Sequence, residues 1–438
     1  MENSIEYNGG ENFDLREMLL RGRGLRLNEK VGLFENFIDD LNKQNIMLNM
    51  RCITSAADRE VSILDRITGK KKNMLMFGSN NYLELASHPY VREKAEEAIR
   101  KYGAGIGGPP LLNGYTILHR QLEERLAALK GAEDALIFSS GYGANVGLVS
   151  GLTNPNDVII YDAFSHASFC DGIKMSEVKS FRFPHNNLNL LKLRLDQAAN
   201  QTGGDVYVGV EGVYSMDGDT APLDKIVPLC KSKGAILLVD DAHGTGVMGS
   251  RGRGTAEHYG VEGKIDITMG TFSKTFAATG AFVAASKPVV DYLRFFARSY
   301  MFSASLPPVS IAVVLAGLDV LESEPELINR LNDNTKYAAE RLNSLGFNLN
   351  PQTPILPLRV PIGMDIRKAA LKFHEKGIFV NSIEYPAVPV SQQRFRISIM
   401  ATHTKEDINK LIEVIDEIWT SFKSSEKCAA KEFCYEAA

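Results

Sequence analysis

Short aliphatic segments without polar interruption recur along the middle of this 438-residue chain, and each is followed by small or polar residues. Such runs indicate strands that are buried on both faces, which is typical of a parallel sheet. Helical patterns separate the runs, so the chain alternates between strand and helix. We therefore predict an α/β fold with a mostly parallel, doubly wound sheet, whose strands include residues 135–138, 158–161, 205–210, 235–239 and 265–269.

Polar residues that can do chemistry follow four of these strands. They are His166, Ser215, Asp240 and Lys274. The carboxyl ends of parallel strands meet at one edge of a sheet, and ligands bind at that edge in open α/β folds. We therefore expect the four side chains to lie close together in a functional site.

Lys274 lies in the segment GTFSKT, whose small, uncharged side chains offer its amine no counter-charge. A lysine in a partly dry pocket has a depressed pKa, and its free amine can form a Schiff base with an aldehyde. Pyridoxal phosphate requires such a lysine, together with an acidic partner for its ring nitrogen, for which Asp240 is the candidate. Two simpler interpretations stay open on these residues alone: a helix-capping aspartate and a solvated surface lysine. The segment is not a nucleotide-binding Walker loop, because Ser273 rather than glycine precedes the lysine.

Two glycine-rich segments differ in what they indicate. Residues 139–145 lie between a strand and a helix, where backbone N–H groups and the helix dipole can hold an anion. This segment is a candidate cradle for a cofactor phosphate, or else a plain turn. Residues 103–110, GAGIGGPP, contain a GxGxxG string, but they follow a helix rather than a strand. They therefore indicate a bend and not a dinucleotide site.

Composition excludes several classes of function. A net charge of −4 gives no electrostatic basis for binding nucleic acid. The cysteines form no CxxC pair, which favours a reducing compartment without disulfides or a zinc site; they are Cys52, Cys170, Cys230, Cys428 and Cys434. The N-terminal residues are acidic and polar, unlike a signal peptide, and no apolar run reaches the roughly 18 residues needed to span a bilayer. We expect a soluble, cytoplasmic protein without a metal.

The chain divides into four predicted parts. An N-terminal extension covers 1–75, and begins with a loosely ordered stretch to about residue 24. Its residues 31–41 form an amphipathic helix that packs on a protein surface or, alternatively, lies on a membrane. A large cofactor-binding domain (76–325) and a smaller C-terminal α+β domain (326–425) follow, with the boundary in a helix over 324–345 that ends at Gly346. The C-terminal domain has strands at 355–360, 378–382 and 396–400 and a closing helix, and residues 426–438 are a frayed tail.

The motifs together resemble those of the α-oxoamine synthases, a family of fold-type I pyridoxal-phosphate enzymes, over about residues 70–422. The matching blocks are FGSNNYLEL, FSSGYGAN, DAFSHAS, EGVYSMDGD, VDDAHGTGVMG, GTFSKT, MFSAS and RISIMATHT. Members of this family join an amino acid to an acyl thioester and release carbon dioxide. The resemblance implies a fold-type I transferase with pyridoxal 5'-phosphate as its cofactor.

The resemblance assigns roles to the residues that follow the strands. Lys274 would carry the cofactor as a Schiff base and, once displaced by the substrate amine, remove the Cα proton. Asp240 would pair with the ring nitrogen, and His243 would contact the phenolic oxygen with Ser215 beside it. His166 would stack on the face of the ring.

Further positions follow from the same resemblance. Gly141 and Tyr142 would offer backbone N–H groups to the cofactor phosphate, together with Thr271. Ser303 matches a position that reaches a phosphate in the neighbouring subunit, which implies a homodimer with shared active sites. Arg396 matches the arginine that holds the carboxylate of the amino acid, and Asn81 matches an asparagine on the substrate side.

The substrate is less constrained. The blocks GTFSK, MFSAS, PAVP and IMATHT are most similar to the bacterial serine palmitoyltransferase branch of the family. The loop 108–114, GPPLLNG, lacks an arginine that many relatives have, which favours an uncharged acyl tail. The expected reaction joins L-serine to palmitoyl-CoA and gives 3-oxosphinganine, carbon dioxide and CoA, a step of sphingolipid synthesis. Alternatives are a glycine or alanine acyltransferase with a shorter chain, an acyl-carrier-protein donor, and a non-catalytic partner subunit; peripheral membrane contact is compatible with catalysis.

Overall fold

The computed structural model describes residues 15–199 and 203–435, with residues 16, 17, 21, 199 and 425–435 described by their backbone alone. The strands in these ranges are β1 (Cys52–Ile53), β2 (Glu60–Leu64), β3 (Lys71–Met76), β4 (Asp134–Phe138), β5 (Val158–Asp162), β6 (Lys179–Phe183), β7 (Val206–Glu211), β8 (Ile236–Asp240), β9 (Ile267–Thr271), β10 (Ala281–Ala285), β11 (Ile355–Arg359), β12 (Ile378–Phe379), β13 (Asn381–Ile383) and β14 (Arg394–Ser398).

The helices in the same ranges are α1 (Leu15–Arg21), α2 (Leu27–Lys43), α3 (Pro89–Tyr102), α4 (Ile117–Lys130), α5 (Gly141–Leu152), α6 (Ala167–Ser176), α7 (Leu188–Ala199), α8 (Leu223–Ser232), α9 (Thr255–His258), α10 (Lys287–Phe296), α11 (Arg298–Met301), α12 (Pro308–Ser323), α13 (Glu326–Ser344), α14 (Ile366–Glu375) and α15 (Lys405–Tyr435). Short 3-10 turns occur at Gly22–Gly24, Leu85–Ser87 and Val390–Gln392.

A seven-stranded sheet forms the centre of the molecule, in the order β4-β10-β9-β8-β7-β5-β6. All of its strands are parallel except β10, which runs antiparallel to both neighbours. Alternate residues of one strand enter different cores: Leu238 packs on one face of the sheet, and Leu237 and Val239 pack on the other. The predicted doubly wound α/β sheet is confirmed, and its burial on both faces explains why its strands are aliphatic runs.

Two smaller sheets lie outside the central one. β1, β2, β3 and β12 form the first, in which β3 and β12 are parallel, and β11, β14 and β13 form the second. The prediction of one strand over 378–382 is wrong, because β12 and β13 belong to different sheets. β1 and β2 were not predicted, since their exposed residues interrupt any apolar run. The four-part division of the chain stays a prediction.

The long helix α13 ends as predicted before Gly346, whose φ of 91° is readily adopted only by glycine. The closing helix α15 continues to Tyr435, so the predicted tail from residue 426 is helical up to that point, and residues 436–438 lie outside the described residues. At the other end, α1 begins at Leu15, and the rest of the predicted loose N-terminus lies outside the described residues.

The amphipathic helix α2 is longer than predicted and packs on its own chain. Phe37 and Leu41 are buried in a small cluster that includes Leu371 of α14, and the exposed residues of α2 include Val31 and Phe34. Within residues 15–199 and 203–435, no helix has the length and apolar character needed to cross a bilayer.

Candidate active site

A cavity of about 450 Å3 opens where β7, β8 and β9 end. It brings together nine of the eleven residues that the sequence singles out: Gly141, Tyr142, His166, Ser215, Asp240, His243, Thr271, Lys274 and Arg396. These residues come from parts of the chain that are up to 255 residues apart (396 minus 141). The carboxyl edge of the parallel sheet gathers eight of them, as expected from its topology, and Arg396 reaches the cavity from β14 of a smaller sheet.

Lys274 is held in the cavity by the aromatic residues around it in sequence. Phe272 and Phe276 are fully buried and meet edge to face, with ring centroids 6.4 Å apart, and the turn between them carries the lysine. Burial lowers the pKa of the Lys274 amine, although the carboxyl groups of Asp240 and Glu211 oppose this effect. The amine is thereby shifted toward the free form that attacks an aldehyde.

Asp240, the last residue of β8, is fixed by two N–H donors. The side-chain amide of Asn145 donates to its Oδ2 at 2.7 Å, and the backbone N–H of Ala242 donates to its Oδ1 at 3.1 Å. Both N–H groups hold the carboxylate through hydrogen bonds to a charged acceptor. Asp240 therefore presents a negative charge to the cavity in a defined orientation.

His166 caps the start of α6 and is linked to Asp240 through neutral side chains. The backbone N–H of Ser168 donates to His166 Nδ1 at 3.3 Å, and Ser168 Oγ lies 2.7 Å from the same nitrogen. Asn145, which holds Asp240, also donates to Ser168 Oγ at 3.0 Å. Because Nδ1 accepts, the neutral ring carries its proton on Nε2. The ring is thus held in one tautomer and one orientation.

Arg396 lies on β14, is 4% exposed, and has several neutral partners. Its Nε donates to the carbonyl of Ser215 at 2.6 Å, and its Nη1 donates to Asn80 Oδ1 at 2.9 Å and to Ser398 Oγ at 3.0 Å. Its Nη2 donates to the hydroxyl of Tyr82 at 3.3 Å. These contacts orient the guanidinium without cancelling its charge, so it can bind a carboxylate.

The start of α5 forms another wall of the cavity. Ser140 Oγ accepts from the backbone N–H of Gly143 at 3.0 Å, and the preceding N–H groups, of Gly141 and Tyr142, have no acceptor within the helix. A Cβ at Gly141 would lie 3.3 Å from Thr271 Oγ1, so glycine keeps this space open. Helix N–H groups beside a threonine hydroxyl are suited to a phosphate.

The other two predicted residues, Asn81 and Ser303, do not line the cavity. Asn81 is buried, and its Oδ1 accepts from the backbone N–H of Ala86 at 3.4 Å. Its neighbour Asn80 lines the cavity instead and contacts Arg396. Ser303 follows α11 and is half-buried.

Several residues of the site were missed in the sequence, although each lies in one of the quoted motifs. They are Asn80, Tyr82, Asn145, Ser168 and Glu211. Among them, Glu211 lines the cavity at the end of β7. Burial, and then the charge of Asp240, raise its pKa well above the ordinary value. A protonated carboxyl group therefore lies beside an ionised one.

A family model for aminotransferases of class I and II matches residues 72–415. A serine palmitoyltransferase from Bacteriovorax stolpii is 41% identical over 352 residues, which cover 80% of this chain and 84% of that protein. An 8-amino-7-oxononanoate synthase from Geotalea daltonii is 39% identical over 88% of this chain and 97% of that protein. This chain belongs to the α-oxoamine synthase family. It is a pyridoxal-phosphate-dependent acyltransferase with the fold-type I architecture.

Solved structures of two members of this family have the same fold as this chain. A serine palmitoyltransferase from S. paucimobilis, with a pyridoxal-phosphate adduct of myriocin bound, has a TM-score of 0.83 at 31% identity and covers 91% of this chain and 99% of that one. An 8-amino-7-oxononanoate synthase from Francisella tularensis has a TM-score of 0.69 at 28% identity and covers 80% of this chain and 99% of that one.

The residues of the cavity fit the cofactor of this α-oxoamine synthase. The set contains a buried amine at Lys274, a fixed carboxylate at Asp240 and helix N–H groups at Gly141 and Tyr142. These are the groups that pyridoxal phosphate requires for its aldehyde, its ring nitrogen and its phosphate. In the described parts of the chain, no cluster of three or more His, Cys, Asp or Glu residues could hold a metal ion.

Proposed function

We propose that this α-oxoamine synthase joins L-serine to a long-chain acyl thioester, with palmitoyl-CoA as the expected donor. The product is a 3-oxosphinganine-type amino ketone, and carbon dioxide and the free thiol are released. When bound at Lys274, the cofactor supplies an electron sink for the electron pair left on Cα. The remaining chemistry belongs to the residues of the cavity.

The observation that carries the choice of substrate is the similarity of the whole fold. The TM-score is 0.83 against the S. paucimobilis serine palmitoyltransferase and 0.69 against the F. tularensis 8-amino-7-oxononanoate synthase. The sequence identities are 31% and 28%, so the difference lies mainly in backbone shape and coverage. Acyl specificity depends on the shape of the substrate channel, and the fold similarity therefore supports the long-chain reaction.

Arg396 and Lys274 are proposed to act on the amino acid. The guanidinium binds the carboxylate of serine, supported by the hydrogen bonds that hold it to Ser215 and Asn80. Lys274 Nζ, whose lowered pKa favours the free amine, takes the proton from Cα. Cα then forms a bond with the thioester carbonyl carbon, and the C–S bond breaks, so that the sulfur leaves as the thiolate and takes a proton from solvent. The original carboxylate leaves as carbon dioxide, and the proton held by Lys274 replaces it on Cα.

Other residues of the cavity are proposed to hold the cofactor. Asp240 would pair with the ring nitrogen and keep it protonated, and His243 would donate from its ring to the phenolic oxygen, beside Ser215. His166, which is held by Ser168, would stack on the ring face. The N–H groups that start α5 and Thr271 Oγ1 would bind the phosphate.

We also propose that the active unit is a homodimer. Large apolar side chains are exposed on α10, after α11 and in the loop 108–114; they include Leu112, Tyr292, Phe295, Phe296 and Phe302. Exposed apolar groups of this size mark interaction surfaces. The loop contacts the segment that carries Ser303, because the backbone N–H of Ser305 donates to the carbonyl of Gly108 at 3.1 Å. A partner seated on this surface would bring Ser303 and the apolar loop to the other subunit's cavity.

The experiment is thiol release by the purified holoenzyme with serine, glycine, alanine and threonine, each tested with acyl-CoA donors from C2 to C18 and with pimeloyl-CoA. The proposal predicts the highest kcat/KM with serine and a C16 chain. Faster turnover of alanine and pimeloyl-CoA would instead assign the reaction of 8-amino-7-oxononanoate synthase, in line with the 39% identity to that relative. Turnover with an acyl carrier protein but with no CoA ester would change the donor and leave the residue roles intact.

A further inference from the structure

Tyr82 is a fully buried side chain that connects Arg396 to His243. Its Oη lies 2.8 Å from His243 Nδ1, and Arg396 Nη2 donates to the same oxygen at 3.3 Å. Arg396 and His243 both line the cavity, and none of the roles assigned above uses Tyr82. One hydroxyl therefore joins the proposed carboxylate site to the proposed phenolic-oxygen site.

The direction of these hydrogen bonds follows from the donors. Arginine carries donors only, so the oxygen of Tyr82 must accept from Arg396. The single hydroxyl hydrogen can go to His243 Nδ1 at 2.8 Å or to Asn80 Oδ1 at 3.4 Å, and the shorter contact is the hydrogen bond. His243 Nδ1 is then an acceptor, and the proton of the neutral ring lies on Nε2.

The surroundings keep this ring neutral. Burial, followed by the neighbouring basic groups of Lys274, Arg396 and His166, lowers the pKa of His243 well below its ordinary value. Burial also raises the pKa of Tyr82, although the charge of Arg396 opposes that effect, so its hydroxyl keeps its hydrogen. A chain of hydrogen bonds thus runs from Arg396 through Tyr82 to His243, in one direction.

We propose that Tyr82 is a positioning residue that transmits occupancy of the carboxylate site at Arg396 to the ring of His243. A carboxylate bound to Arg396 competes for its N–H groups and weakens the hydrogen bond to Tyr82. Because linked hydrogen bonds polarise one another, Tyr82 then donates less strongly to His243, and Nε2–H becomes a weaker donor into the cavity. The inference rests on the proposed function for the roles of Arg396 and His243, but not on the identity of the acyl donor.

The test compares two amines in the holoenzyme without any acyl donor. L-Serine carries the carboxylate, and 2-aminoethanol is the same amine without it. In the wild-type protein we expect the two saturated complexes to differ in the cofactor absorbance and in the pH at which it titrates. In Tyr82→Phe this difference becomes smaller, because only the direct effect of the carboxylate on the adjacent amine remains. The affinity for serine should not fall, since the carboxylate no longer competes with a tyrosine hydroxyl for Arg396, and the binding of 2-aminoethanol should change little.

Tyr207→Phe is the matched control. Tyr207 is also buried, lies near the start of β7, and donates to the carbonyl of Leu152 at 3.4 Å, outside the cavity. This variant should keep the wild-type difference between the two amines. A Tyr82→Phe protein that keeps the full difference would overturn the proposal. The hydroxyl of Tyr82 would then have no part in the response to the carboxylate, and only its aromatic ring would matter, through packing.

A second measurement needs no folded variant at position 82. In protein labelled with 15N-histidine, we expect the His243 resonances, assigned by their loss in His243→Gln, to show a protonated Nε2 and an unprotonated Nδ1. A proton on Nδ1 would overturn the relay. If serine fails to bind but glycine or alanine binds, the serine assignment is wrong, and the same comparison with that amino acid and its decarboxylated amine still tests Tyr82.

Discussion

Glu211 and Asp240 lie directly opposite each other at the ends of the adjacent parallel strands β7 and β8. Both carboxyl groups line the active-site cavity. Two neighbouring carboxyl groups disfavour double ionisation, and the donors from Asn145 and Ala242 place the charge on Asp240. Burial and this charge raise the pKa of Glu211 well above its ordinary value, so Glu211 is the protonated member of the pair.

Replacing Glu211 by glutamine should therefore leave turnover near the wild-type rate. The amide is neutral, as the protonated acid is, and it keeps an acceptor for the backbone N–H of His166, which bonds to Glu211. Glu211→Ala removes that acceptor and should lower turnover about tenfold through the position of His166. A loss of kcat in Glu211→Gln as large as that in Glu211→Ala would show that the ionised acid is required.

The same pair predicts a pH-dependent gain in stability for Glu211→Gln. An acid whose folded pKa is raised loses stability as the pH rises above its unfolded pKa of about 4.3, since only the unfolded chain then ionises. The glutamine variant lacks this loss. Its melting temperature should exceed that of the wild type at pH 8, and the gap should shrink toward pH 5. A gap that does not change with pH would contradict a protonated Glu211.

His185 gives the opposite pH dependence. Burial alone would lower its pKa, but hydrogen bonds to Asp162 (3.0 Å) and Asp219 (2.7 Å) outweigh burial and raise it from 6.5 to about 9. The charged ring therefore contributes stability that is complete below about pH 6.5 and is lost as the pH rises toward 9. This contribution to the free energy of unfolding is about 3 kcal/mol.

His185→Gln should accordingly lose more stability at pH 6 than at pH 9, measured by chemical denaturation of the holoenzyme at both values. His258→Gln is the control, because His258 is exposed on α9 and should show no such difference. An equal loss for His185→Gln at both pH values would mean that the ring is neutral in the folded protein.

Asn145 is predicted to control cofactor affinity through Asp240. Asn145→Ala removes the 2.7 Å hydrogen bond that orients the carboxylate, and we expect the Kd for pyridoxal phosphate to rise roughly 10- to 100-fold, as for the loss of a bond to a charged group. The measurement is absorbance titration of the apoprotein. Asn154→Ala is the matched control. Asn154 donates to Asp157 with a hydrogen bond of 2.6 Å that lies outside the cavity, so the Kd of this variant for pyridoxal phosphate should not change.

The sequence predicted the structure correctly where the residues of one short segment are enough to determine its conformation. Aliphatic runs predicted the central strands, and Gly346 marked the end of α13. Long-range pairing was not accessible in this way: the partner of Asp240 is 95 residues away, and that of Arg396 at Ser215 is 181 residues away. Nothing local distinguishes Asn80 from Asn81 either, because the turn after β3 decides which amide enters the cavity. Glu211 was missed for the same reason, as its neighbour across the sheet was unknown.

A mixed dimer tests whether Ser303 serves the other subunit. Lys274→Ala removes the amine from its own cavity, and Ser303→Asp places a negative charge where we expect a phosphate. Each homodimer should be nearly inactive. After subunit exchange at equal amounts, about one quarter of the wild-type turnover should return, because half of the dimers are mixed and each has one intact site. No recovery, with exchange verified by differently tagged subunits, would place Ser303 in its own subunit's site. An active Ser303→Asp homodimer would remove Ser303 from catalysis.

The most direct test of the proposed reaction follows the two carbons of serine that separate. The holoenzyme is given palmitoyl-CoA with serine labelled either at the carboxylate carbon or at Cα, and carbon dioxide and lipid products are analysed by mass spectrometry. We predict that the carboxylate label appears only in carbon dioxide, that the Cα label stays in a 3-oxosphinganine, and that Lys274→Ala forms neither. A palmitoylated serine that keeps its carboxylate label, or no lipid product at all, would contradict the proposal.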